Sequence, residues 1–383
     1  MSDAMTPRER VKLTLNHQEP DRVPVSLGGS ANHLTEHRYE LLRDHFKVQD
    51  IPRRTLVGFY TTPDYNPILD QLGTDFRFIH IRPPNNYISN SMTGKFEEFT
   101  DEWGLLHRII GGYYDMTGSP LGEDLTIEKI ENFNWPDPTK PERMDGVKEE
   151  ILDLYHNTDF SIVAHRPVYG NIWEFTRLLA GMENALMMTI LDTKIFSYLT
   201  GKIAEILDGF YYEFLSVVGP YVDIIEVAED LGTNNGPMFN PEVYTKFLKP
   251  LHKKSNEMFK KLAPNAKVML HCDGAIRKFM PDLIEAGFEI LNPIEGHLPG
   301  MDPVDLKQDF GKDMVFQGGV DVKTVLNHGS IEDVHKEVRL RIEQMGEGGG
   351  YVLAPAHNFS NDIPLENMLA FFEGGKELGQ YPL

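Results

Sequence analysis

The sequence predicts an α/β fold, an eight-stranded (β/α)8 TIM barrel built as a single domain over residues 1–383, on three observations. Short runs rich in β-branched and apolar residues recur from residue 161 onward, at 161–165, 222–228, 267–271, 289–293, 314–318 and 350–354. Helix-length amphipathic segments separate them, at 174–204, 241–262, 275–286, 322–326 with 331–344, and 365–378. Strands apolar on both faces and alternating with helices make a parallel sheet covered on each side. Finally, no Gly-x-Gly-x-x-Gly turn follows an early strand, which disfavours an open dinucleotide-binding sheet.

The N-terminal elements support the count. Thr6 is a natural N-cap, Pro7 suits the first helical position and Glu9 completes a capping box, so a helix opens here and ends near Asn16. Residues 23–27 read as a short strand stopped by Gly28-Gly29, and 35–46 as a helix. Residues 47–159 hold apolar runs at 55–59 and 76–81, several Pro clusters and the loop Trp135-Pro136-Asp137-Pro138. This stretch is expected to supply one barrel strand and a large excursion, a lid over the C-terminal mouth. Six late strands, the 23–27 strand and one in the excursion reach the roughly eight that close a barrel.

A net charge of −21 repels phosphate backbones and anionic lipid, so neither nucleic acid nor a membrane surface is an expected partner. The single cysteine, Cys272, excludes an intramolecular disulfide and suits a reducing compartment. The polar N-terminus lacks a signal-peptide core, and no run approaches the roughly 18 apolar residues of a membrane span, so a cytoplasmic protein is expected.

Barrel chemistry sits where strands end. Here those ends carry Asn32 and His33, Arg166, then Glu226, Glu229 and Asp230, then His271 and Asp273, then Asn292 and Glu295, then Asp321, and finally His357. One polar residue at a strand end is ordinarily a loop or helix cap. Seven such ends converging on one mouth argue for an enzyme. The catalytic candidates are His271, Asp273, His357, Glu229 and Asp230, and the substrate-binding candidates are Asn32, His33, Arg166, Glu295 and Asp321. Arg166 and Arg177 bring positive charge to the mouth, or else lie on helix faces. Met182, Met187 and Met188 share a helix and face the core or a partner.

His271-Cys272-Asp273-Gly274 is the most informative tetrapeptide. Residues i and i+2 of a strand face one side, so His271 and Asp273 point together while Cys272 turns away. Such a pair can hold a metal ion or act as an acid–base couple. The alternative is that Asp273 caps the helix near Ala275 and His271 hydrogen-bonds in the core. His357 offers a third ligand from the closing strand. A zinc ion on His271, Asp273 and His357 would leave a fourth position for which Glu226 or Glu229 competes.

These residues belong to longer matches. The sequence Pro7-Arg8-Glu9-Arg10, the run Glu19-Pro20-Asp21-Arg22-Val23-Pro24, residues 225–232, Phe239-Asn240-Pro241, residues 271–274 and Asn292-Pro293 occur in order. Gly318-Gly319-Val320-Asp321, Gly349-Gly350-Tyr351 and Pro364-x-Glu366-Asn367 follow them. Together they resemble the methyltransferase-like branch of the uroporphyrinogen decarboxylase superfamily over nearly the whole chain. Decarboxylases of that superfamily carry an Arg-Gln-Ala-Gly-Arg-Tyr segment whose arginines grip porphyrinogen carboxylates. Residues 26–33 here contain no arginine. The zinc-dependent branch that methylates coenzyme M uses His-x-Cys and a distant Cys. This chain has His271-x-Asp273 and Ala356-His357.

Harder ligands leave an ion more Lewis-acidic, which suits departure of a methyl group from an ether oxygen or amine. The resemblance therefore implies a corrinoid-linked O-demethylase methyltransferase acting on a small, methoxy-aromatic type of donor, with zinc. The corrinoid would arrive on a separate protein, because the chain has no Asp-x-His-x-x-Gly motif. The alternatives are a uroporphyrinogen decarboxylase, with His357 as counterpart of that family's C-terminal histidine, or a non-catalytic porphyrinoid-binding barrel.

Overall fold

The computed structural model describes residues 5–29, 32–49, 54–55, 61–62, 66–82, 98–110, 113–122 and 124–383. Seven parallel strands form its central sheet: β1 Phe76–Ile79, β2 Ser161–Ala164, β3 Ile224–Ala228, β4 Lys267–His271, β5 Ile290–Asn292, β6 Val315–Val320 and β7 Tyr351–Pro355. Their spatial order runs β7-β6-β5-β4-β3-β2-β1, so strands adjacent in sequence are adjacent in space. Residues 23–27 join the two edges. Leu353 of β7 accepts from Ser26 N–H at 3.0 Å and donates to Pro24 at 2.9 Å, while Asp75, just before β1, donates its N–H to Val25 at 3.0 Å. The predicted eight-stranded barrel is thereby closed.

Closure is reinforced by charge. The Asp75 carboxylate is fully buried and takes Arg10 Nη1 at 2.6 Å, Arg22 Nη1 at 2.8 Å and the Val25 N–H at 2.8 Å. One side chain thus ties the first helix, Pro7–Leu15, the 23–27 segment and β1 together. That helix starts as predicted, with Thr6 and Glu9 in a reciprocal capping box. Its Val11 and Leu15 pack with Phe76, Val163, Ile224, Met269, Ile290, Val315 and Val352 in one buried cluster. These seven strand residues are an apolar layer inside the barrel, and the helix plugs the N-terminal end beneath them.

Helix boundaries differ from expectation where punctuating residues intervene. The segment expected as one helix over 174–204 is three: Ile172–Ala180, Met182–Leu191 and Thr193–Val218. Gly181 breaks the first junction with φ +88°, and Asp192 opens the third helix by accepting the Ile195 N–H at 3.1 Å. The 275–286 segment tightens into a 3-10 turn, Arg277–Phe279, before the short helix Met280–Glu285.

The 47–159 stretch supplies β1, as expected, and then a three-stranded antiparallel sheet, Glu98–Thr100, Leu106–Ile110 and Tyr113–Thr117. Trp103 stacks on Phe175 with centroids 3.9 Å apart, and Leu121 donates its N–H to Leu179 at 2.9 Å. The described part of the excursion therefore packs on the helix that follows β2. Of the run expected at 55–59, residues 56–59 lie outside the described residues, and Arg54–Thr55 pairs with Thr61–Thr62.

Candidate active site

Period-two alternation builds the site directly on the apolar layer. Two residues beyond Phe78, Val163, Ile224, Met269, Ile290 and Val315 stand His80, His165, Glu226, His271, Asn292 and Gln317. The barrel interior thus changes from hydrocarbon to polar groups within one pleat. Register places Glu226 level with Met269, and Ala228 level with His271. Two residues further on, Asp230 and Asp273 meet where β3 and β4 run out.

Asp230, His271 and Asp273 offer ligand atoms that all lie within 4.8 Å of one another. Asp273 Oδ2 is 3.7 Å from His271 Nε2 and 3.8 Å from His357 Nε2, so the carboxylate sits between two imidazoles from opposite flanks of the mouth. Its other oxygen, Oδ1, is buried and has no hydrogen-bond partner. A buried polar atom left without a partner is rare and calls for a reason. Capping is not that reason, since no backbone N–H among the described residues donates to the Asp273 side chain. The Gly274 and Ala275 N–H groups go instead to Glu295 Oε2 at 2.8 Å and the Thr233 carbonyl at 2.9 Å. Asp230 in turn accepts the Asp273 N–H at 3.2 Å. The loops cross tightly here: a Cβ on Gly274 would come within 2.7 Å of the Gly232 carbonyl carbon, and its φ of +93° also demands glycine.

His271 sits between two acceptors. Its Nδ1 lies 2.9 Å from Asn292 Oδ1, and its Nε2 faces Asp273. Burial works against the imidazolium, but Asp273, helped by Asp230, outweighs it and holds the His271 pKa up to about 9. Glu174, buried and close to Asp230, is pushed up to about 8 by that burial and by the neighbouring negative charge. Strongly perturbed titratable groups gathered at a barrel mouth are a mark of functional sites.

The other sequence candidates fall in three places. Glu226 lies one layer deeper, level with Met269, with His165 Nε2 3.5 Å from its Oε2. It is therefore Asp230, expected as a catalytic group, that stands beside His271 and Asp273, and Glu226 does not. Glu229 is also outside the cluster: an odd number of residues from Glu226, it points outward, where it accepts the Glu174 N–H at 3.0 Å and meets His252 Nε2 at 3.1 Å. Cys272 turns outward too, as expected, its sulfur accepting the Leu231 N–H at 3.3 Å.

Glu295, Asp321 and His357 line a cleft of about 510 Å³ together with Asp273, His297 and Lys323. Asp321 also caps its own turn, accepting the Lys323 and Thr324 N–H groups at 2.6 and 3.1 Å. Arg166 lies over the Tyr169 ring, 5.1 Å from its centroid. His33 is half-buried, and that burial pushes its pKa down to about 4. Asn32 is wholly buried and donates to the Pro355 carbonyl at 2.7 Å. His80, His165 and Gln317 escape strand-end reasoning because they lie inside the barrel or begin a loop. Counting two residues on from each inward apolar residue would have found them.

No helix among the described residues is long and apolar enough to cross a membrane. No curated protein sequence matches the chain. Among solved structures, a methyltransferase from Methanosarcina mazei matches with a TM-score of 0.66 at 17% identity, over 97% of this chain and 99% of that one. A B12-independent methionine synthase from Shewanella sp. W3-18-1 matches with a TM-score of 0.47 at 12% identity, over 93% of this chain and 97% of that one. At such identities the likeness to the first is one of fold. The sequence model of the uroporphyrinogen decarboxylase (URO-D) family matches residues 124–378, a span that takes in β2 to β7 and the Asp230, His271, Asp273 and His357 cluster. The barrel, its mouth and this long match agree, and the chain belongs to the URO-D family.

Proposed function

We propose that the chain is a methyltransferase that moves a methyl group between a small methylated donor, of the methoxy-aromatic kind, and the cobalt of a separate corrinoid protein. The observation that carries this reading is the Asp273 carboxylate, set between two imidazoles and beside Asp230, with a buried oxygen that has no partner. A cation fits that donor set, and two carboxylates with imidazoles suit zinc. Asp230, His271 and Asp273 would hold it, and His357 is placed to join them. When bound, zinc supplies Lewis acidity at the donor oxygen, drawing off charge as the methyl group departs.

The chain's own residues do the rest. Glu295 and Asp321 line the cleft and keep it acidic, which disfavours a polycarboxylate. Lys323, 3.4 Å from Glu295, brings one cation to the rim. The methyl group leaves as an electrophile for the nucleophilic cobalt, and the donor oxygen keeps the bonding pair. Where His357 is not itself a ligand, it stands half-exposed at the cleft and is placed to hand that oxygen a proton. We further propose that residues 1–383 act as one domain, with the 47–159 excursion closing over the bound donor, in a cytoplasmic setting.

The decarboxylase reading requires arginines at the end of the first strand, where this chain has Gly28, Gly29, Asn32 and His33. Incubation with uroporphyrinogen, scored by loss of carboxylates, is expected to give no turnover. Incubation with a methoxy-aromatic donor and a reduced corrinoid protein is expected to give methylated cobalt, seen in its absorbance. Rapid decarboxylation with no cobalt methylation would reverse the assignment.

Two neighbouring carboxylates separate binding from folding. Glu229→Ala is expected to cost about 1–3 kcal/mol by stranding the His252 ring and the Glu174 N–H, while zinc affinity stays at the wild-type level. Asp230→Ala is expected to do the reverse. Urea melts paired with zinc titrations read both, and loss of zinc affinity in Glu229→Ala would return that residue to the ligand set.

A further inference from the structure

An amide side chain can be read either way round unless its partners settle which end donates. In the polar layer they do. The Pro355 carbonyl can only accept, so the Asn32 group 2.7 Å from it is the Nδ2 amine, and Asn32 Oδ1 faces the barrel axis as an acceptor. Asn292 Nδ2 donates to that oxygen at 3.1 Å and is also 3.4 Å from the Gln317 carbonyl, which again can only accept. Gln317 Nε2 reaches the same Asn32 oxygen at 3.4 Å. Asn292 Oδ1 is therefore fixed as the group that meets His271 Nδ1 at 2.9 Å. All three amides are buried, so water does not substitute for a misdirected partner.

We infer that Asn292 is a positioning residue that keeps the proton on His271 Nδ1 and turns Nε2 toward Asp230 and Asp273. The polarity is set from the far side of the barrel, by the Pro355 carbonyl acting through Asn32. A neutral imidazole carries one proton, and the ring nitrogen that binds a cation must be the one without it. With Nδ1–H donated to Asn292, Nε2 is the nitrogen that gives up its proton when a cation binds, and it already faces the carboxylates. Groups that hold a metal-binding histidine in this way typically change cation affinity 10- to 100-fold when removed. The functional consequence rests on the cation site proposed above, whereas the choice of tautomer rests only on the hydrogen-bond chain.

The test uses the full chain, with urea melts to confirm that each variant folds. Zinc affinity is measured by chelator competition for wild type, Asn292→Leu, Asn292→Asp and Asn32→Leu. Nitrogen-15 NMR of histidine-labelled, zinc-free protein, at a pH where His271 is neutral, reads its tautomer. Wild type is expected to show His271 protonated on Nδ1. Asn292→Leu is expected to lose that single tautomer and to bind zinc about 10- to 100-fold more weakly. Asn292→Asp keeps an acceptor against Nδ1 and, protonated on its other oxygen, a donor to Asn32 Oδ1; it is expected to stay within about threefold of wild type, where mere loss of a buried contact would weaken both variants alike. Asn32→Leu leaves Asn292 in place but removes its reference, and is expected to fall between them. An Nε2-protonated wild type, or equal loss in the Leu and Asp variants, overturns the inference. A wild type that takes up no zinc would refute the cation site instead, and the tautomer spectrum would still decide the role of Asn292.

Discussion

Asp273→Asn is expected to lower methyl transfer about a thousandfold and to deplete the protein of bound zinc. The carboxylate lies within ion-pair distance of both imidazoles, at 3.7 and 3.8 Å, and the amide that replaces it has the same shape without the charge. Cation chemistry at a leaving oxygen is worth several kcal/mol of transition-state stabilisation, and each 1.4 kcal/mol is tenfold in rate, hence the thousandfold expected. The effect should fall on kcat more than on KM, because the cation acts on charge that develops during the reaction. Single-turnover formation of methylated cobalt gives the rate, and elemental analysis of the same sample gives the metal. Loss confined to KM would move Asp273 from the reacting centre to donor binding.

Asp75→Ala is expected to destabilise the fold by about 3–5 kcal/mol, the cost of leaving buried charges without their counter-ion. Arg22 loses its carboxylate partner, Arg10 is left with Asp21 alone, and the Val25 N–H loses its acceptor. Those are the contacts that hold the 23–27 segment against β1, so the barrel opens at that seam first. Urea unfolding measures the loss, and hydrogen exchange should find Val25 and Leu353 N–H groups newly labile. Glu332→Ala, which breaks an exposed pair with Lys336, serves as the control and should leave the midpoint unmoved. An Asp75→Ala midpoint equal to wild type would mean that the seam is held by backbone pairing alone.

The parallel strands could be read from sequence because they are buried on both faces and so appear as apolar runs. The helix start at Thr6 was visible because capping uses few residue types, and Thr6 caps in the structure. The split at Gly181 was not, since the apolar pattern continues through it. At the site, i and i+2 spacing paired His271 with Asp273 without help from structure. The same count rules out Glu229, which stands three residues from the inward-facing Glu226. Which of Glu226 and Asp230 comes beside the His271 and Asp273 pair depends on the register between β3 and β4, and register is a tertiary fact. The Asn32–Asn292–Gln317 chain was hidden for the same reason, since it joins residues 260 and 285 positions apart. The lid expected over 47–159 is tied to the helix after β2 through Trp103 and Leu121, a packing that composition does not encode.

The central claim, a methyltransferase whose Asp230, His271 and Asp273 hold a catalytic zinc, is tested most directly by metal removal and return. Purified protein is treated with a strong chelator, desalted, and assayed for methyl transfer from a methoxy-aromatic donor to a reduced corrinoid protein before and after one equivalent of zinc is restored. The predicted result is loss of cobalt methylation on chelation, full recovery with zinc, and no recovery in Asp273→Asn. Undiminished methyl transfer by protein shown to be free of metal would contradict it.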